Sequence, residues 1–173
     1  MTAYAVLLRG VNVGGHRRVP MTELRALLAE LGCASVATYL RSGNAVGVTD
    51  LAPEDLAAQV HDALAGRLGV DSDVLVRTGP ELARVVGGCP WQGTDPAKLH
   101  VLFLSGPLAA AWRPTRPTRD RVEFGERCLY VDYAEGAGRA TLALDPRALG
   151  GPVTARNWRT VLALTELVTS LGP

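Results

Sequence analysis

Apolar and polar residues follow one another in blocks along the first half of the chain, and their spacing predicts regular elements. Ala3 to Leu8 is short and continuously apolar, which is typical of a buried strand. Further on, apolar residues recur at positions i, i+3, i+4 and i+7, and so share one face of a helix; they are Leu24, Leu27, Leu28 and Leu31. Pro20 suits the first turn of this helix and Gly32 its end.

A hairpin, a second helix and a fourth strand are predicted next. Residues 35–40 and 45–49 favour strands, and the residue types in Arg41-Ser42-Gly43-Asn44 between them favour a turn. The second helix should begin at Pro53 and stop at Gly69, and its apolar residues share one face; they are Leu56, Val60, Ala63, Leu64 and Leu68. A strand over Asp73 to Arg77 completes the order βαββαβ, which is that of a ferredoxin-like unit.

The second half of the chain predicts elements of similar size. In order, they are a helix over Glu81 to Val86, strands over Leu99 to Leu104, Arg121 to Phe124 and Cys128 to Asp132, a helix over Leu142 to Leu149, and a last helix near Trp158 with Thr154 as its cap. Residues 109–120 are predicted to be irregular. We therefore predict an α+β fold. A ferredoxin-like subdomain covers residues 1–77, and a second, smaller α+β subdomain over residues 78–173 packs against it without being independent.

Composition narrows the class of protein more than the activity. The chain has 173 residues, of which 47% are apolar. Its net charge is only +1, so the chain has no global positive field of the kind that is usual in nucleic-acid-binding proteins. No stretch approaches the roughly 20 apolar residues of a membrane span. Cys33, Cys89 and Cys128 lie far apart in the sequence. We therefore expect reduced thiols in a cytoplasmic protein with no disulfide framework, no metal site and no cofactor.

The most polar loop of the first half runs from Arg9 to Arg18 and contains three glycines, an asparagine and three arginines. In a ferredoxin-like sheet the first strand lies between the third and the fourth and is antiparallel to both. The end of the first strand should therefore lie beside the starts of the other two, at an edge that we call the rim. Its expected members are Arg9, Asn12, Gly14, Gly15, Ser42, Gly43, Asn44 and Asp73.

Two kinds of function fit the rim. Glycine amides beside a helix N-terminus and arginines suit an anion, so the first hypothesis is a site for a phosphate-bearing or other anionic small ligand, such as a nucleotide. Arg9 and the amides of Gly14-Gly15 would hold the anion, and Asn12, Ser42 and Asn44 would orient the rest. The second hypothesis is a non-enzymatic interaction or structural module whose polar rim only stabilises the fold and whose glycines only turn the chain.

The two asparagines separate these hypotheses. Asn12 lies in the middle of the glycine-rich loop with no obvious local partner, so we expect it to face a ligand. Asn44 closes the predicted hairpin, so we expect its side chain to brace the backbone. The spacing of the glycines matches neither the dinucleotide fingerprint nor the P-loop.

Two further places are candidates for anion contacts. Arg156 and Asn157 precede the last helix, where they could hold an anion at the positive end of the helix dipole or simply cap the helix. The run from Arg113 to Arg121 could contact phosphates, although such a proline-rich basic loop is more often simply solvated.

Nucleic acid is the less favoured partner because the predicted strands lack an aromatic stacking pattern. Neither the oligomeric state nor an enzymatic activity follows from the sequence.

A set of ordered segments carries a resemblance to a known family. They are Leu7 to Gly15, Val19-Pro20-Met21, Leu24-Arg25, Tyr39, Ser42-Gly43-Asn44, Val76-Arg77-Thr78, Leu99-His100-Val101, Leu104, Ala155 to Trp158, and Thr160-Val161. In these segments the chain resembles the uncharacterised bacterial family called domain of unknown function 1697. The resemblance implies an α+β fold built of ferredoxin-like units and supplies no established activity.

One segment departs from the pattern of that family, which usually has a Gly-x-Gly-x-Ser-Lys run ahead of its penultimate helix. Here Gly136-Ala137-Gly138-Arg139 is followed by Ala140 and Thr141, so the serine and the lysine are missing. Any role of those two side chains cannot be carried over to this chain, unless Arg139 substitutes for the charge.

Overall fold

The first half of the chain folds into an antiparallel sheet in which the N-terminal strand is central. The computed structural model describes residues 1–107, 112–114 and 116–172. Its first four strands are β1 (Thr2–Leu8), β2 (Ala34–Tyr39), β3 (Asn44–Thr49) and β4 (Val74–Thr78), in the spatial order β2-β3-β1-β4. β1 is antiparallel to both neighbours, and it pairs Leu7 with Asn44 and Leu8 with Val74. The predicted βαββαβ order and the antiparallel pairing are confirmed.

Two helices, α1 (Met21–Glu30) and α2 (Pro53–Leu68), cover one face of this sheet. They pack on alternate residues of β1, because successive side chains of a strand point to opposite faces. The buried residues of this core include Tyr4, Val6, Leu8, Leu24, Leu27, Leu28, Leu56, Val60 and Leu64. Pro20 is extended and directly precedes α1 instead of lying in its first turn, and α2 stops at Gly69 in the left-handed conformation.

The second half of the chain forms a second sheet with the same strand order. Its elements are α3 (Gly79–Gly87), β5 (Leu99–Leu104), β6 (Arg121–Gly125), β7 (Cys128–Asp132), a 3₁₀ turn (Ala137–Arg139), β8 (Val153–Asn157) and α4 (Trp158–Ser170). The strands are antiparallel in the order β6-β7-β5-β8, which repeats β2-β3-β1-β4 element by element. Between β7 and β8, where the first half has α2, the chain forms only the 3₁₀ turn and irregular segments. The predicted α+β class is confirmed.

Two predictions for the second half are wrong. Residues 142–149 are not helical. Leu142 and Leu144 alternate with exposed residues and pack on the core of the second sheet, and Pro146, which has no N–H, follows two positions later. Thr154 does not cap the last helix, because it lies inside β8 and pairs with Phe103 of β5. Of the predicted irregular segment 109–120, residues 109–111 and 115 lie outside the described residues.

By packing, the chain divides into two compact units. The first unit comprises Met1–Leu82 with Leu164–Pro173, and the second comprises Ala83–Ala163. The predicted division into residues 1–77 and 78–173 stays a prediction. In the described ranges, no helix combines the length and the apolar character that crossing a bilayer requires.

Candidate functional site

The rim lies at the end of β1, where short contacts join three strands. Leu8 N donates to the carbonyl oxygen of Gly43 at 2.8 Å, and Arg9 N donates to that of Asp73 at 3.0 Å. The guanidinium of Arg9 also forms an ion pair with the Asp73 carboxylate, with Nη1 2.7 Å from Oδ2. The structure thus brings Arg9, Gly43 and Asp73 together, but Arg9 already has an acidic partner.

The two glycines at the tip of the loop reverse the chain. Val13 and His16 face each other across a tight turn, in which His16 N donates to the Val13 carbonyl oxygen at 3.3 Å. Gly14 and Gly15 are its central residues, with φ values of 62° and 79°. A two-residue turn with positive φ at both central positions favours glycine, which adopts this conformation without steric cost. The geometry of the turn therefore explains why both positions are glycine, without any ligand.

Asn12 forms several hydrogen bonds that hold the loop in place, and the expectation that it lacks a local partner is wrong. Its Nδ2 donates to the carbonyl oxygens of Val19 at 2.9 Å and Arg41 at 2.7 Å, and its Oδ1 accepts from Val19 N at 2.9 Å. Its backbone N–H donates to the Arg17 carbonyl oxygen at 3.1 Å. The Asn12 residue therefore ties both sides of its own loop to the β2–β3 hairpin. Sequence reasoning missed these bonds because their partners lie five to 29 positions away.

The hairpin between β2 and β3 is braced by Asn44, as expected. The side chain of Asn44 is fully buried, and its Nδ2 donates to the Tyr39 carbonyl oxygen at 3.0 Å and to Ser42 Oγ at 2.9 Å. Gly43, between these two residues, has φ 76° and lies against Leu8 and Val11. The polar groups of Ser42 and Asn44 are therefore committed to the fold of the hairpin.

Three arginines next to rim residues have no acidic partner among the described residues. Within the described part of the chain, Arg17, Arg18 and Arg41 form no ion pair, and all three are exposed. The bonds of Asn12 place the backbone of Arg17 and that of Arg41 against the same residue, and Arg18 follows Arg17 directly. The sequence held one signal of this cluster, since residues 9–18 contain three arginines and no acidic residue.

The other predicted anion contacts have structural partners of their own. Asn157 caps α4, because its Oδ1 accepts from Thr160 N at 2.9 Å. Arg156 lies in β8, is 7% exposed, and donates to Thr154 Oγ1 and to the Ala155 carbonyl oxygen, each at 2.8 Å. Burial lowers the pKa of the Arg156 guanidinium to about 10, so it stays charged at neutral pH. Of the two readings of Asn157, the cap is the one that the hydrogen bonds support.

The arginines of the run from Arg113 to Arg121 differ in their surroundings. Arg113 stacks on the ring of Phe124, with its Cζ 5.7 Å from the ring centroid. Arg121 stacks on Trp91 at 4.8 Å and its Nε donates to Asp132 Oδ2 at 2.9 Å. All four arginines are exposed, but these stacking contacts position Arg113 and Arg121.

The three cysteines are buried, and none of them forms a disulfide within the described part of the chain. Burial raises the pKa of the Cys33 thiol, although a hydrogen bond with Thr49 opposes the effect, and burial likewise raises the pKa of the Cys89 thiol. A raised pKa disfavours the thiolate, which is the nucleophilic form. Among the residues that the structure describes, no three His, Cys, Asp or Glu side chains form a group that could hold a metal ion.

Comparison with known proteins places the chain in a family. The family model described as "Protein of unknown function (DUF1697)" matches residues 1–130. The chain belongs to this family. The solved structure of the conserved bacterial protein SP0830 from Streptococcus pneumoniae has the same fold, with a TM-score of 0.76 at 23% sequence identity over 96% of this chain and 98% of that chain. No curated protein matches the sequence.

The segment in which this chain departs from the DUF1697 pattern has clear surroundings in the structure. Arg139 ends the 3₁₀ turn, and Ala140 follows it at the surface. Thr141, at the position of the missing lysine, donates from its backbone N–H to Asp120 Oδ2 at 3.1 Å. The threonine thus has a structural contact, and the only basic side chain of this segment is that of Arg139.

Replacing Asn12 with alanine is expected to lower the free energy of unfolding by about 1–3 kcal/mol. The change removes three side-chain hydrogen bonds and leaves alanine at a positive φ of 57°. Urea denaturation followed by circular dichroism measures the loss. Asn12→Gly is the control for backbone strain, because glycine tolerates the positive φ but makes none of the three bonds. Equal stability of wild type and both variants would show that the loop does not depend on Asn12.

Proposed function

We propose that the first unit is a binding module for a phosphate-bearing anion, with Arg17, Arg18 and Arg41 as its contact groups. The observation that carries the proposal is the position of Asn12, which bonds to the backbone at Arg17 and Arg41 at once. An anion at this place meets positive charge that the described part of the chain does not neutralise. Guanidinium groups also match phosphate oxygens in pairs of parallel hydrogen bonds.

The residues predicted for this site have different parts in the proposal. Arg9 contributes less positive charge than the three contact arginines, because Asp73 pairs with it. The backbone amides of Gly14 and Gly15 are uncharged donors at the exposed tip of the loop. Asn12, Ser42, Gly43 and Asn44 hold the loop and the hairpin in position and do not contact the ligand themselves. Arg156 and Asn157 belong to the second unit and have no part in this site.

The proposed site recognises charge more than shape. Its contact side chains are exposed and project from a turn and a hairpin instead of lining an enclosed cleft. Interactions between exposed charges weaken as ionic strength rises, since the Debye length falls to about 8 Å at physiological salt. The ligand class that fits is therefore one with several negative charges close together, such as a diphosphate or triphosphate group.

Pyrophosphate titrations of three proteins at low ionic strength test the proposal. We expect calorimetry to show that the double variant Arg17→Gln/Arg41→Gln binds pyrophosphate at least about tenfold more weakly than wild type, since each charged hydrogen bond contributes about 1.5–3 kcal/mol. Arg25→Gln is the matched control. Arg25 is also an exposed arginine of the first unit, but it lies on α1 and outside the contact group. It should leave the affinity unchanged.

The alternative is a structural or protein-interaction module with no ligand at the rim. The self-pairing of Asn12, Ser42, Asn44 and Arg9 is the observation that favours it. If wild type does not bind pyrophosphate, or if the double variant and the Arg25→Gln control lose the same affinity, the anion site is wrong and this alternative is favoured.

A further inference from the structure

A surface cavity of about 390 Å³ lies in the second unit, and its lining includes Arg119 of the basic run and Arg139 of the segment that departs from the family pattern. Its walls come from the segment before β6, the turn after β7 and the end of the 3₁₀ turn. The volume falls in the range of about 300–1,000 Å³ that is usual for small-molecule sites. The side chains that give the cavity its chemistry are Thr118, Arg119, Asp120, Glu135, Arg139 and Thr141.

Asp120 connects the segments that form the walls of this cavity through hydrogen bonds. Its Oδ1 accepts from Ala134 N at 3.1 Å, and its Oδ2 accepts from Thr118 Oγ1 at 3.0 Å and from the backbone N–H groups of Thr141 and Leu142, each at 3.1 Å. Burial would raise the pKa of the Asp120 carboxyl, but these hydrogen bonds outweigh it and hold the pKa below its ordinary value. The carboxylate is therefore ionised at neutral pH, and its oxygens accept hydrogen bonds from three segments of the chain, which it joins.

The remaining charges leave the cavity open to an anion. The Arg139 side chain is exposed and forms no ion pair with any described residue. Arg119 pairs only loosely with Glu135, because Arg119 Nη1 is 3.7 Å from Glu135 Oε1 and the two side chains are 87% and 57% exposed. A direct bond between such ions is about 2.7–2.9 Å long, and exposed pairs contribute little. Both guanidinium groups can therefore turn to a ligand.

We propose that this cavity binds a small organic molecule through an anionic group, a carboxylate or a phosphate, held by Arg139 and Arg119. Planar guanidinium forks recognise both groups in the same bidentate way. The hydroxyl groups of Thr118 and Thr141 lie at the same cavity and form a hydrogen bond with each other at 2.8 Å, so they contact the rest of the ligand as acceptors. Glu135, released from Arg119, accepts a hydrogen bond from a hydroxyl or ammonium group of the ligand.

Backbone amide spectra of the full chain test this proposal with two probes, citrate and inorganic phosphate, each titrated at constant ionic strength. We expect saturable shifts at Thr118 and Thr141 with at least one probe, and the probe that binds more tightly distinguishes a carboxylate from a phosphate ligand. Arg139→Gln should weaken that binding at least tenfold. Arg147→Gln is the control, since Arg147 is an exposed arginine of the second unit outside the cavity.

The outcomes are separate from those for the rim. Both substituted arginines are exposed, so we expect both variants to fold. The amide spectra also show directly whether each variant is folded. Absence of saturable shifts at the cavity with both probes, or equal binding by Arg139→Gln and Arg147→Gln, would overturn the proposal. Shifts confined to the loop from Arg9 to Arg18 would overturn the cavity site while supporting the anion site of the first unit.

Discussion

Replacing Leu64 with alanine is expected to lower the free energy of unfolding by about 2–5 kcal/mol, which is the range for buried leucines. Leu64 lies on the inner face of α2, has no exposed surface, and belongs to the core formed with α1 and β1. Truncation removes its contacts and leaves a void that the packed neighbours fill only in part. Leu27, 2% exposed on α1, should behave in the same way.

Chemical denaturation of three proteins measures this effect. Leu162→Ala is the control because Leu162 is also a helical leucine but is 42% exposed. It should change the free energy of unfolding by about 1 kcal/mol or less, since surface substitutions usually have small effects. If Leu64→Ala and Leu162→Ala shifted the denaturation midpoint equally, the assignment of the inner face of α2 would be wrong.

Replacing Gly43 with alanine should have an effect of similar size for a different reason. Gly43 has φ 76°, and a β-carbon there would lie 2.6 Å from Val11 Cγ2 and 2.7 Å from Leu8 Cβ. Such distances force the backbone or its neighbours to move. The left-handed conformation costs alanine about 1–2 kcal/mol, and overpacking of a buried place adds about 1–3 kcal/mol. We expect a total loss of about 2–5 kcal/mol.

Gly14→Ala separates the two contributions. Gly14 also has positive φ, 62°, but no described atom outside Gly14 and its two chain neighbours lies within 4 Å of its β-carbon position. The loss for Gly14→Ala should therefore be about 1–2 kcal/mol, from backbone strain alone. Thermal and chemical denaturation of both variants give the comparison. A Gly43→Ala protein as stable as Gly14→Ala would mean that Leu8 and Val11 do not crowd the hairpin.

The large effect at Gly43 bears on function as well as stability. The Gly43 carbonyl oxygen accepts the hydrogen bond from Leu8 N, and the hairpin carries Arg41, whose carbonyl oxygen accepts from Asn12. A shift of this hairpin would therefore change the position of Arg41 relative to Arg17. In a site that depends on exposed charges, the spacing of the guanidinium groups decides how many of them reach one anion.

Sequence alone determined the βαββαβ fold of the first half of the chain. Residues that share a helix face, such as Leu24 and Leu28 on α1 or Leu56 and Leu64 on α2, are buried in the structure as predicted. Helix faces and strand alternation are local patterns that the backbone geometry imposes on the sequence. Together with the ferredoxin-like strand order, they also located the rim at the end of β1, next to β3 and β4.

Tertiary structure decided two elements of the second unit that the sequence did not indicate correctly. β8 was missed because its two most buried residues, Thr154 and Arg156, are polar, so that the most buried positions of the strand give no apolar signal in the sequence. Their burial depends on pairing with β5, which lies about 50 positions earlier in the chain. The false helix over residues 142–149 had leucines that instead pack on the sheet in an extended segment.

The chemistry of the rim was also decided by tertiary contacts. The sequence identified the glycines and the asparagines as rim residues. It did not show that the side-chain amide of Asn12 would donate to the carbonyl oxygens of Val19 and Arg41. A side-chain amide can bond to a ligand or to a distant backbone carbonyl, and only the folded chain fixes which partner lies within reach. The same reason applies to the arginines. Their number follows from the sequence, whereas tertiary structure decided that Asp73 pairs with Arg9 and that Arg17, Arg18 and Arg41 have no acidic partner among the described residues.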